Sequence, residues 1–246
     1  MQHDEFVAHA ELEVQHWWFT GRREILRALL HAVAPPNTGL ALLDIGCGTG
    51  GNSAAFANEY KVMGIDPSAE GIEFAKTRFP AVAFSVSDNP ADGRAHLAGG
   101  GVVLLTDVLE HVADDRRLLA QAIDVVPAGG HLILTVPSDP ALWSKHDTDF
   151  GHFRRYLCDD FQALWADAPV EERLLTPFNA RLRPVIAAIR KIAPDTGNNL
   201  RLPAGPLNWM LHRIFAGEAP ALVGALDRHT RPFGRGVSLA AVLRKR

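Results

Sequence analysis

Apolar residues divide the chain into alternating elements. Ile25, Leu26, Leu29, Leu30 and Val33 recur at the spacing of one helical face, and Pro35 and Pro36 close that run. Short apolar stretches at Leu40–Ile45, Val62–Ile65, Val82–Val86, Val102–Leu105 and His131–Val136 predict strands. Helical patterns at Asn52–Asn58, Ala69–Arg78 and Asp114–Val125 separate most of them. Strands that alternate with helices in this way predict a parallel sheet covered on both faces. Beyond Pro137 comes a polar, aromatic stretch, then a helical pattern at Cys158–Ala166 and strands at Val170–Leu175 and Val237–Leu243. The reading is one domain over 1–246: a helical cap (1–36), a core (37–137), a loop and strand (138–179), a helical insertion (180–235) and a last strand (236–246).

About 60 residues separate the last two strands, far more than a hairpin turn uses. That insertion carries nine Arg or Lys against three Asp or Glu, while the whole chain has a net charge of -3. A basic element therefore sits on an acidic body. It suits a lid over an anionic acceptor, a peripheral membrane contact, or merely a solvated face. The overall charge gives no reason to expect nucleic acid. Two cysteines cannot make a disulfide framework, the first residues lack a secretory pattern, and no apolar run is long enough to span a bilayer. A reducing cytoplasm fits these features.

The candidate chemistry begins at Leu42–Gly51, LLDIGCGTGG. Gly46, Gly48 and Gly50 allow a backbone to approach a bulky ligand with no Cβ in the way. Gly46, Gly48 and Gly51 also satisfy the dinucleotide pattern G-x-G-x-x-G, which leaves a nicotinamide-dependent oxidoreductase as an alternative. Asp44, where that fold normally has an apolar residue, suits a ligand with an ammonium group, such as the methionine tail of S-adenosylmethionine. Asp66, at the end of KVMGID, lies where a doubly wound fold brings a carboxylate to ribose hydroxyls. Asp88 can accept from an adenine amine, although Asp88-Asn89-Pro90 is equally an ordinary turn.

Together LLDIGCGTGG, GIDPS (64–68), TDVLEHV (106–112) and PAGGHLILTVP (127–137) resemble the class I S-adenosylmethionine-dependent methyltransferases. HWWFTGRR (16–23) and LWSKHDTDFGHFRRY (142–156) look like a bacterial branch often called type 11 or type 12. The resemblance implies a Rossmann-like doubly wound sheet of seven strands, mostly parallel, with an antiparallel C-terminal hairpin and a helical insertion. It also implies S-adenosyl-L-methionine as cofactor, lined by Gly46, Gly48, Gly50 and Asn52, with Asp66, Pro67 and Ser68 at the ribose and Asp88 and Asn89 at the adenine. Thr106, Asp107 and His111 would flank the methionine end. Trp18 can close over the cofactor and Arg22 can pair with its carboxylate.

Methyl transfer from a sulfonium is an in-line displacement, so the protein must hold the acceptor and, for oxygen or nitrogen, remove a proton. His146, Asp147, His152, Arg154, Arg155 and Tyr156 follow the strand His131–Val136 and should face the cofactor end of the sheet. His152, His146 and His111 are candidate bases, Asp147 can orient one of them, and the arginines and Tyr156 can bind an acceptor. The histidines and aspartates of this stretch lack a regular ligand spacing, and no metal is expected. The expectation is O-methylation of a small-molecule or lipid- or glycan-linked intermediate. N- or C-methylation, and a cofactor-binding accessory protein without activity, are the alternatives.

Overall fold

In the computed structural model, residues 10–192, 202–228 and 230–246 are described. Residues 1–9 of the expected cap and 193–201 of the insertion lie outside them. The elements, in chain order, are α1 (Trp17–Val33), β1 (Ala41–Ile45), α2 (Gly51–Phe56), β2 (Lys61–Asp66), α3 (Ala69–Arg78), β3 (Ala83–Val86) and β4 (Gly101–Thr106). They continue as α4 (Asp115–Val125), β5 (His131–Pro137), α5 (Lys145–Asp149), α6 (Cys158–Gln162), β6 (Val170–Phe178), α7 (Arg183–Ile192), α8 (Gly205–Ala216), α9 (Ala219–Arg228) and β7 (Ser238–Lys245).

The seven strands form one sheet in the order β3-β2-β1-β4-β5-β7-β6. Six run in the same direction, β1 to β5 pairing in parallel, and β7 is antiparallel to its neighbours β5 and β6. The chain reverses outward from β1, so the carboxyl ends of β1 and β4 border the crevice where ligands of such sheets bind. Strand β6 runs three residues past its expected end and includes Pro177. As an edge strand it has one side without ladder partners, where a residue lacking an N–H is tolerated. The helix expected over Cys158–Ala166 breaks after Gln162 into a 3-10 turn at Ala163–Trp165.

Side chains alternate between two apolar layers, which explains why buried strands read as continuous apolar runs. On one face, Leu43, Leu105, Leu134 and Leu243 pack with Leu119, Ile123, Phe161 and Trp165. On the other, Leu42, Leu104, Ile133 and Val242 meet Leu26, Leu29, Phe215, Leu222 and Leu226. Much of the insertion is therefore core, because α8 and α9 complete the layer begun by α1. Gly21 is needed at the α1–α8 crossing: a Cβ there would lie 2.7 Å from Phe215 Cδ1. Phe215 also stacks on Phe178, with ring centroids 5.8 Å apart. Phe215→Ala should lower unfolding free energy by about 3–5 kcal/mol, the usual range for truncating a buried aromatic, as read by denaturant titration.

His16 caps α1 by accepting from the Trp18 N–H. Burial lowers its pKa to about 4, so the folded chain holds it neutral. A depressed histidine pKa gives stability that is present above the unfolded value near 6.5 and lost as pH falls through about 4. His16→Asn, which keeps a capping oxygen, should flatten part of the stability loss between those limits, as followed by thermal melts across pH.

Candidate active site

The loop after β1 is shaped by three glycines with positive φ, each for a different reason. Gly46 (φ 74°) leaves no room for a Cβ, which would lie 2.5 Å from Val108. Gly50 (φ 81°) is pressed against Phe84. Gly48 (φ 53°) faces open space, with nothing within 4 Å of its missing Cβ. The loop thus backs onto protein at both ends and opens at its middle.

Asp66 closes one side of this opening. Its carboxylate accepts from the Gly48 N–H at 2.9 Å and the Ser68 N–H at 2.8 Å, and each oxygen keeps a lone pair for a further donor. Ser68 caps α3 through the Gly71 N–H, and exposed Pro67 makes the turn between them. Asp44 lies beneath the loop, buried, bonded to the Ser53 hydroxyl at 2.6 Å, with its other oxygen unpartnered. Burial raises its pKa to about 6. Asn52 donates to Thr106 Oγ1 at 3.0 Å and so joins α2 to the end of β4. Asp88 is exposed at the carboxyl end of β3, and the Asn89 side chain caps the following 3-10 turn.

Arg22 sits where these elements converge. Its guanidinium pairs with Asp107 and lies 4.3 Å over the Trp18 ring. Asp107 holds a positive φ of 57°, which turns the chain immediately after β4. Burial lowers the Arg22 pKa to about 10, so the group stays charged at neutral pH. Glu13 was not singled out from the sequence. It is buried against the loop, accepts from the Thr49 hydroxyl at 2.7 Å and pairs with Arg78 at 3.1 Å. Those partners lie 36 and 65 residues away, so no local pattern could reveal them.

The second half of the site follows β5. Asp147, fully buried, accepts from His152 Nδ1 at 3.0 Å, from Arg155 Nε at 2.7 Å and from the Ser144 N–H at 2.9 Å. These donors hold its carboxyl far below the usual range despite burial. His152 packs edge-on to His111, centroids 4.6 Å apart, and His146 lies 6.3 Å from His152. Burial lowers both His111 and His146 to about 4, and both are neutral at physiological pH. Glu110, next to His111, is completely buried with both carboxylate oxygens unpartnered, and burial pushes its pKa up to about 8. The Phe153 N–H donates to its backbone carbonyl at 2.7 Å, tying the two halves together.

Arg154, Arg155 and Tyr156 are spent within the chain rather than turned toward an acceptor. Arg155 is buried between Asp147 and the Ser138 carbonyl, the Tyr156 hydroxyl donates to Asp115 at 2.7 Å, and Arg154 bonds Asp115 and the Ala113 carbonyl. An Arg-Arg-Tyr run reads the same from sequence whichever way it points. Arg155→Ala should therefore act mainly on stability, by about 3–5 kcal/mol, because it leaves the Asp147 charge buried with fewer partners. A calorimetric melt would show this, whereas a role in acceptor binding would appear as a raised KM in a protein that melts normally.

A sequence profile described as a methyltransferase domain matches residues 17–181, two thirds of the chain. The chain belongs to this methyltransferase family. Its cofactor is S-adenosyl-L-methionine, and the open centre of the Gly48 loop, the spare lone pairs of Asp66 and the unpartnered oxygen of Asp44 fit it. A ubiquinone biosynthesis O-methyltransferase of Caulobacter vibrioides is 36% identical over 104 residues, covering 40% of this chain and 41% of that protein. A probable S-adenosylmethionine-dependent methyltransferase of Mycobacterium tuberculosis is 25% identical over 161 residues, covering 64% and 57%. The chain thus spans about two-fifths to three-fifths of the length of these relatives. Among solved structures, Haemonchus contortus phosphoethanolamine N-methyltransferase 2 with S-adenosyl-L-methionine superposes with a TM-score of 0.54 at 15% identity, over 90% of this chain and 52% of that one. That likeness concerns the fold.

Proposed function

We propose that the protein transfers the methyl group of S-adenosyl-L-methionine to a hydroxyl oxygen of a small-molecule or lipid-linked biosynthetic intermediate. The observation that carries this reading is the Asp147–His152 pair. It holds the imidazole by Nδ1 and, among the described residues, leaves Nε2 without a hydrogen bond, on the stretch that follows β5 and against His111 of the turn after β4. An imidazole oriented by a buried carboxylate is suited to take a proton from a hydroxyl as the methyl carbon arrives. His146 is the second candidate for that proton. The O-methyltransferase relative from Caulobacter favours oxygen over nitrogen or carbon. The test is turnover of methyl-labelled cofactor with a panel of phenolic, catecholic, sugar and amine acceptors. Label in hydroxyl acceptors supports the reading, and label only in amines or at carbon overturns it.

The exposed apolar residues of the insertion favour an acceptor with an apolar portion. Val185, Ile189 and Ile192 lie along α7, and Leu207, Trp209 and Met210 open α8. Lys191 is exposed on the same α7, so an anionic lipid surface suits it, whereas Arg190 turns inward and donates to the Leu142 carbonyl. Among the described residues no helix is long and apolar enough to cross a membrane. Co-flotation with anionic but not neutral vesicles is the expected result, and no flotation with either removes the membrane contact.

A further inference from the structure

Glu110 has no role in the chemistry described so far, yet its setting demands one. Its side chain is completely buried, and neither oxygen has a hydrogen-bond partner. A carboxyl in that state costs several kcal/mol unless a ligand or ion satisfies it. One ligand atom from each of Glu110, His111 and His152 lies within 4.8 Å of those of the other two, and no hydrogen bond joins Glu110 to either ring. Atoms that share an ion at about 2.0–2.2 Å each are at most about 4.4 Å apart, so a small inward movement completes the set.

One of the histidines is also prepared as a ligand is. His152 has Nδ1 bonded to the Asp147 carboxylate, and His111 packs edge-on against the His152 ring. His152 therefore has one nitrogen fixed by an outer partner and the other left over, the pattern that orients metal-binding imidazoles. From these observations we propose that Glu110, His111 and His152 form a two-histidine, one-carboxylate site for a divalent transition ion such as Zn(II), Mn(II) or Fe(II). Spacing along the sequence hid it, because Glu110 and His111 come from the turn after β4 and His152 from the loop after α5. Three protein ligands leave positions open, and the acceptor's hydroxyl oxygen takes one.

Binding of the ion does not depend on the acceptor, but its use rests on the O-methylation reading. There the ion lowers the pKa of the bound hydroxyl, whose proton goes to His146, a neutral ring with no hydrogen bond to either nitrogen among the described residues. The S–CH3 bond then breaks with its electron pair left on sulfur while the O–CH3 bond forms, and the ion is unchanged. His152 serves as a ligand in this scheme and as the base in its absence, a distinction that chelation resolves.

The test uses the purified chain, stripped with chelator and titrated with Co(II), whose visible absorption reports coordination. One equivalent should bind, and Glu110→Gln and His111→Gln should each weaken binding tenfold or more. Asp147→Asn, acting through His152, should weaken it about 10- to 100-fold. A cooperative thermal melt near that of the wild type shows that each variant is folded, and His111→Gln serves as the reporter if Glu110→Gln is not. No stoichiometric binding, or equal binding by wild type and folded variants, overturns the site. Full activity of stripped enzyme overturns the ion's part in the reaction and leaves the His152 base standing. Stoichiometric Co(II) binding without methylation of any hydroxyl supports the site while removing the proposed acceptor class.

Discussion

Asp66→Ala is expected to weaken S-adenosylhomocysteine binding by about 2–4 kcal/mol, a loss of roughly 30- to 1,000-fold, as measured by calorimetry. The carboxylate has two duties. It accepts from the Gly48 and Ser68 N–H groups, which fixes the open centre of the glycine loop, and we propose that its remaining lone pairs accept from the ribose hydroxyls. Asp66→Asn separates the two. The amide keeps one acceptor oxygen but presents an NH2 group to a backbone donor, so it should recover only part of the affinity. If Asp66→Ala folds and binds as the wild type does, the ribose lies elsewhere along the sheet.

The cofactor half was legible because its determinants are local. Gly46, Gly48 and Gly50 fall within five residues, and Asp66 ends the next strand, so pattern alone brings them to one crevice. Asp147 and His152 are five residues apart, and their pairing was among the readings the sequence offered. What could not be read was direction and distance. Nothing in HFRRY tells whether Arg155 points outward or, as found, into the Asp147 carboxylate. Glu13 reaches Thr49 and Arg78 only because the start of the chain folds back over α2, and Glu110 meets His152 only because two loops converge. The insertion looked separable by its length and charge. Its apolar residues Phe215, Leu222 and Leu226 nevertheless belong to the same layer as Leu26 and Leu29. Exchanging all of 180–235 for a short turn would open the core, so a test of the lid role must be confined to α7.

His152→Ala is expected to lower kcat by about a hundredfold or more while S-adenosylhomocysteine affinity stays near that of the wild type. The ring is bonded to Asp147 and packed against His111, near the turn that carries Asp107, the partner of Arg22 from α1, and among the described residues it makes no bond to the glycine loop or to Asp66. Its loss should therefore fall on the chemical step rather than on cofactor binding. The variant leaves Asp147 with Arg155 and the Ser144 N–H, so the buried carboxylate keeps a counter-charge and the fold should survive. His146→Ala separates the possible uses of His152. If His152 is itself the base, His146→Ala should cost little. If His152 holds an ion and His146 receives the proton, both variants should lose activity, and a more acidic phenolic acceptor should rescue His146→Ala preferentially, because a proton already lost to solvent needs no base. Wild-type kcat in both single variants across the pH range would remove the histidines from the chemical step and leave a reaction driven by proximity to an acceptor that is already ionised.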